Sequence, residues 1–132
     1  GNYFPLYDDI QMLVNLAYHC PVVINLGSTM ALDFSTFGNI GLYLRYDHED
    51  GVPGWSVKTI YQFQHFKSMG NWKAVGFIDS ADMIHEMVNR ALENPEDVAP
   101  DRMKWFSKIV EPDSSNTAAQ RVSDAILALG HR

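Results

Sequence analysis

The sequence predicts an α/β fold in which parallel strands alternate with helices. Three observations carry that reading. The short β-branched runs "PVVINL" and "IGLYLRY" are bounded by Gly, Asn or Asp, as strands buried on both faces are. "AVGFID", residues 74 to 79, is a third run of the same kind. Around them, apolar residues recur at the three- and four-residue spacing of a helix face. Strands separated by helices form β-α-β units with right-handed crossovers, and so run parallel.

Taken in order, residues 7 to 19 put Ile10, Leu13, Val14 and Ala17 on one face, which predicts a helix. The first strand follows Pro21. Residues 28 to 37 read as a helix closed by Gly38, and "IGLYLRY" as the second strand. A helix over roughly 56 to 69 carries Ile60, Phe63 and Phe66. After the third strand, residues 80 to 93 show the strongest helical pattern. Ser80 is the N-cap, Asp82 lies in the first turn, Met83, Ile84, Met87, Val88, Ala91 and Leu92 are apolar, and Asn94-Pro95 is the stop.

Residues 101 to 110 and 116 to 129 continue as helices with no strand between them, the second ending at Gly130, and 101–130 reads as a terminal helical cap. Three strands are few for a doubly wound domain. The expected architecture is therefore a Rossmann-like parallel sheet of three or more strands with helices on both faces, over 1–132 as one domain or as part of one.

A chain of 132 residues that is 46% hydrophobic supports one core. With a net charge of −6 and ten dispersed Lys and Arg residues, it lacks the basic face that nucleic acid requires. The single cysteine, Cys20, excludes an internal disulfide or a CxxC site and fits a reducing compartment. No apolar stretch approaches the roughly 20 residues of a membrane span, and "GNYFPLYDD" lacks the basic flank and apolar block of a secretory signal. The expected location is cytoplasmic. Because the first residue is Gly rather than Met, residue 1 carries no functional weight and the chain is expected to be a piece of something larger.

The stretch that points to function is "NLGSTMALDF", residues 25 to 34, at the end of the first strand. In open parallel sheets, ligands sit at the strands' carboxyl ends, where the next helix offers unpaired N–H groups. Gly27 lets a ligand approach the backbone, and Ser28 and Thr29 add hydroxyl donors. Asp33, four residues after Thr29 on the same helix face, is placed to accept hydrogen bonds from a ribose or sugar diol. The same residues also fit an ordinary turn in which Ser28 or Thr29 caps a helix, a contribution of about 1 kcal/mol, with Asp33 solvated. Spacing leaves both readings open.

Other candidates carry less chemistry. "RYDHED" gathers Asp47, His48, Glu49 and Asp50 but lacks the longer alternating loop of an EF-hand, and reads as an acidic loop lining the pocket at a strand end. His65 lies beside Phe63 and Phe66 on a mostly apolar helix, a structural setting, while His19 and His85 read as surface or core-edge residues. No His or Cys spacing points to zinc, and GxSxG, GxGxxG and Walker patterns are absent, so no metal or cofactor is expected. Asp113, Ser115, Asn116 and Arg121 read as a helix entry and its exposed face.

"VVINLGSTMALDF", followed by Gly38 and a strand ending "LRYD", resembles the donor-binding half of GT-B glycosyltransferases and the related CDP-glycerol glycerophosphotransferases. Ser28, Thr29 and Asp33-Phe34 fall on the family's strand, serine pair and acid, and Tyr46-Asp47 on the Tyr-Asp closing the next strand. "QFQHFKSMGNWKAVGFIDSADMIHEMVNRALENPE" is similar to its His-containing segment, strand, Ser-capped helix and closing Asn-Pro, and "RMKWFSKIVEPDSSNTAAQRVSDAI" to its tail. Where the family has Pro before the second strand this chain has Ile40, and before the first serine it has Leu26-Gly27.

The resemblance covers about residues 7 to 130. It implies that Ser28, Thr29 and the first-turn amides hold a donor diphosphate and Asp33 its ribose or transferred group, with His65 a contact to phosphate or acceptor. It further implies a nucleotide-diphosphate sugar or polyol as donor, no metal, and a role in bacterial surface-polysaccharide synthesis at or near the inner face of the membrane. An acceptor-binding domain would lie elsewhere in a longer chain, leaving this part inactive alone. The competing expectation is a non-catalytic α/β module that binds a phosphorylated metabolite or a protein. A truncated sheet would also expose a strand edge, open to self-association.

Overall fold

The computed structural model describes residues 4–48, 51–110 and 115–130. Three strands, β1 (Val22–Asn25), β2 (Ile40–Leu44) and β3 (Gly76–Ile78), form one open parallel sheet in the order β1-β2-β3. The helices are α1 (Tyr7–His19), α2 (Met30–Ser35), α3 (Gln64–Lys67), α4 (Ile84–Glu93), α5 (Pro95–Val98), α6 (Arg102–Val110) and α7 (Ala118–Gly130). Asn25 aligns with Tyr43 and Leu44 with Ile78, so the carboxyl ends of all three strands share one edge.

β2 explains the layering. Its "IGLYL" is buried on both faces apart from the partly exposed Leu44, as a central parallel strand must be. Tyr43 looks into a first core with Ala31 and Leu32 of α2, Phe66 of α3, Met69, Ala74, Val75 and Trp105 of α6. Ile40 and Leu42 look the other way with Ile78, onto Met87 and Ala91 of α4, Val98 of α5 and Ala99. Both strand crossovers lie on the first face, and α4 returns across the second to reach all three strands.

The local differences from the expected elements have physical causes. The helix expected over 28–37 is shorter because Ser28 is spent on the turn: its N–H donates to Asn25 Oδ1 at 3.1 Å, and its Oγ accepts from Met30 N at 3.2 Å. The helix expected over 56–69 is a 3-10 helix, Val57–Gln62, and then α3, broken where Phe63 takes an extended conformation (φ −67°, ψ 148°). Before α4 the chain makes a 3-10 turn, Ala81–Met83, with Ser80 extended at its N-cap, and Pro95 opens the one-turn α5 instead of merely stopping α4. The third strand is confined to three residues, Ala74 and Val75 being core residues ahead of it.

α6 covers the first core, whereas every described residue from 115 to 130 is exposed, so α7 does not act as a cap here. α1 buries only Ala17 and rests on α2, where Asn39 Nδ2 donates to Ala17 O at 2.7 Å and Tyr18 meets Phe37 edge to face. Among the described residues, no helix is long and apolar enough to cross a membrane. Glu49, Asp50 and Asp113 lie outside the described residues.

Candidate functional site

The carboxyl edge of the sheet collects three loops. After β1 come Leu26, Gly27, Ser28 and Thr29; after β2, Arg45 to His48; after β3, Asp79 and Ser80. The 3-10 helix 57–62 touches the first two. Gly27 adopts φ +61°, a left-handed conformation suited to glycine, and a Cβ there would lie 2.2 Å from Ile60 Cγ2. The glycine expected to admit a ligand therefore admits Ile60 on its Cβ side. Ser28 is half-buried and Thr29 exposed; Thr29 is αR (φ −67°, ψ −6°) and its side chain makes no capping bond. The N-cap position falls on Thr29, which makes no such bond, while Ser28, one residue earlier, meets only the first helical N–H, that of Met30. Ser28 Oγ accepts from Met30 N, and a serine hydroxyl that accepts one bond can still donate one.

Asp47, expected to line a ligand pocket, accepts from Ser56 Oγ at 2.7 Å and from Val57 N at 2.6 Å. Those bonds hold its carboxyl below the ordinary value of 3.8. Across the strand ends Arg45 grips Asp79 with two bonds, Nε to Oδ1 at 2.7 Å and the second nitrogen to Oδ2 at 2.9 Å, and its guanidinium lies 4.4 Å above the Phe77 ring. Arg45 likewise lowers the Asp79 carboxyl from 3.8. Between these loops opens a cleft of about 440 Å³ lined by Tyr46, Asp47, His48, Asp79, Ser80 and Ala81. Both Asp47 oxygens are directed at Ser56 and Val57, whereas Asp79, paired with Arg45, keeps lone pairs that can accept from hydroxyl or ammonium groups at this cleft.

Asp33 stands elsewhere. It is exposed in a recess of about 140 Å³ between α1 and α2, with Leu13, Val14, Ala17, Thr36 and Phe37, and partial burial raises its carboxyl pKa. Helix spacing placed it one turn below Thr29, but the neighbouring helix α1 determines what it faces. His65 is exposed on α3, its ring centroid 3.9 Å from that of Phe66. The structure thus brings Gly27, Ser28, Thr29 and Asp47 to one edge and leaves Asp33 and His65 off it. Concavities along α1 and α7 are each lined by one helix, with Cys20 added at α1. Among the described residues no group of three His, Cys, Asp or Glu side chains could hold a metal.

Sequence reading missed Tyr43, Tyr61, Arg45 and Asp79. Arg45 and Asp79 each follow the last residue of their strand, and Leu44 pairs with Ile78, so their meeting is a matter of register. Tyr43 falls within a run read as a strand buried on both faces, and Tyr61 carries no signal of its own in the sequence. Comparison of the chain with protein families, curated proteins and solved structures finds no match in any of the three.

The two lowered carboxyl values set an acid limit. Because the folded values lie below the unfolded 3.8, their contribution is present above that pH and is lost as pH falls through the folded values. Urea midpoints are expected to stay level from neutral pH to about 5 and to fall below about 4. In Asp79→Asn that fall is expected to be shallower; an unchanged acid limb would show that the Arg45 pair contributes nothing.

Proposed function

We propose that this chain is the donor-binding segment of a GT-B-type transferase, a Rossmann-like part-domain holding a nucleotide-diphosphate-activated sugar or polyol for bacterial surface-polysaccharide synthesis. The observation that carries this reading is the Ser28–Thr29 turn at the carboxyl end of β1 in a parallel sheet, on the same edge as the β2–β3 cleft. In this reading the diphosphate lies at the turn, taking the Ser28 proton and the exposed Thr29 hydroxyl.

The hydroxyl-bearing end, which spacing assigned to Asp33, falls instead to the cleft, where Asp79 and Ser80 accept and Tyr46 supplies an aromatic wall. Segregating anionic and hydroxyl ends fits an ester of the two and disfavours a simple phosphate. Catalysis would come from orienting the donor and stabilising negative charge on the leaving nucleoside diphosphate. Transfer needs an acceptor-binding partner domain, so the segment alone binds without turnover. The flank of β1 that no described strand pairs offers a surface for that domain or for a second copy.

Calorimetric titration of UDP-, CDP- and GDP-linked sugars and polyols tests this. One nucleotide series is expected to bind, with Ser28→Ala and Asp79→Ala each weakening it about tenfold, or ~1.4 kcal/mol, and Asp33→Ala leaving it within about twofold, below ~0.5 kcal/mol. Absence of binding, or wild-type affinity in the Ser28 and Asp79 variants, would refute the assignment.

A further inference from the structure

We infer that Tyr43 is the positioning residue of the 27–29 loop, and that Asp47 serves the same loop by clamping the 3-10 helix 57–62 instead of touching a ligand. What the loop holds rests on the function proposed above; how it is held does not.

Tyr43 is fully buried in the middle of the sheet, and a buried phenol needs a partner for its hydroxyl. That partner is the Ser28 carbonyl oxygen, 2.7 Å away. The N–H of Ser28 is taken by Asn25 Oδ1, so the residue that presents the hydroxyl is fixed at both its N–H and its C=O. The core thereby dictates which way the loop faces.

The second part of the device is the 3-10 helix. Tyr61 stacks on Tyr43, centroids 5.6 Å apart and planes 19° from parallel, and its hydroxyl donates to the carbonyl of Leu44, the last residue of β2 before the second loop. The residue before Tyr61, Ile60, fills the space beside Gly27. Asp47, in the second loop, holds the beginning of this helix through Ser56 Oγ and Val57 N. A chain of contacts thus runs from Asp47 through the 3-10 helix to Gly27 and Tyr43, joining the two loops on either side of it. Tyr43→Phe removes one hydroxyl from this chain and keeps the ring packing, while Asp47→Ala releases its far end at the surface.

Amide hydrogen exchange of the full chain, read by mass spectrometry without ligand, is the primary test. Tyr43→Phe is expected to raise exchange over 26–31 by on the order of tenfold, the upper range for one lost hydrogen bond, with the strand amides of 40–44 and 76–78 changed less than about twofold. Asp47→Ala is expected to raise exchange over 57–62 and 26–31 together. A merely structural tyrosine would loosen loop and strands alike, and that result, or an unchanged loop, would overturn the inference. Should Tyr43→Phe fail to fold, the Asp47 variant decides: faster exchange over 57–62 with 26–31 unchanged would break the proposed chain. In parallel, nucleotide-sugar titration, run well below the melting temperature of either protein, is expected to weaken about tenfold in Tyr43→Phe. If the wild type binds no nucleotide, the proposed function fails while the exchange comparison still decides how the loop is held.

Discussion

Trp105→Ala is expected to cost about 3–5 kcal/mol of folding stability, the range for emptying a large aromatic site. That is a large share of the roughly 5–15 kcal/mol by which domains are stable. Trp105 is 1% exposed in the first core, where it joins α6 to Tyr43, Phe66 and Val75. Its indole Nε1 donates to Ser68 Oγ at 2.8 Å, and Ser68 in turn donates to His65 O, so truncation also removes a bond at the end of α3. The remaining ties of α6 are Arg102 Nε to the Gly38 carbonyl at 2.7 Å and surface contacts such as Lys108 Nζ to Ser68 O at 2.9 Å. The exposed Lys108 tie contributes about 0–1 kcal/mol, and neither it nor the part-buried Arg102 bond fills the volume the indole leaves. Urea denaturation of Trp105→Ala beside Lys108→Ala measures the difference; a loss below about 1 kcal/mol for the tryptophan would mean that α6 is dispensable.

Gly41→Ala is expected to destabilise by about 1–3 kcal/mol through overpacking. A Cβ at this position in β2 would lie 2.4 Å from Ala31 Cβ and 3.2 Å from Ala31 Cα, and the second of these is backbone that no rotamer can move. The helix α2 must then lift from the sheet, and with it the turn that precedes it. Ala31→Gly removes the Cβ half of the clash while itself costing about 1 kcal/mol in helix propensity. The double variant is therefore expected to be more stable than the sum of the two single losses, a coupling that denaturation of all four proteins reads directly. Additive losses would show that sheet and helix adjust independently.

The parallel sheet was legible because β2 needs an apolar residue or glycine at each position when both faces are covered, and "IGLYL" has one. The helix around Met87 and Ala91 was legible for a similar reason, its polar and apolar faces being cleanly separated. The segment around Ile60, Phe63 and Phe66 was misread because those residues recur every third position. Over so short a run that spacing fits a 3-10 helix as well as an α-helix, and Phe63 is the break.

At the site, strand-then-turn order placed Ser28 and Thr29 correctly at the sheet's edge. The roles of Gly27, Asp33 and Asp47 depend on Ile60, α1 and Ser56, neighbours that local spacing does not specify. Tyr43 was invisible as a site residue because an aromatic in a buried strand carries the same signal whether its hydroxyl is idle packing or a fixture.

Among the described residues, β1 has a neighbour on one flank only. The succession β1-β2-β3 winds in a single sense, so none of its junctions is the reversal beside which cofactor crevices open in doubly wound sheets. Such a reversal would require another strand, and one docking against β1 would rise next to Ser28. Under the function proposed above, such a strand would stand as a second wall beside the turn, and grip on an anion would tighten when the flank is filled and slacken when it is bare.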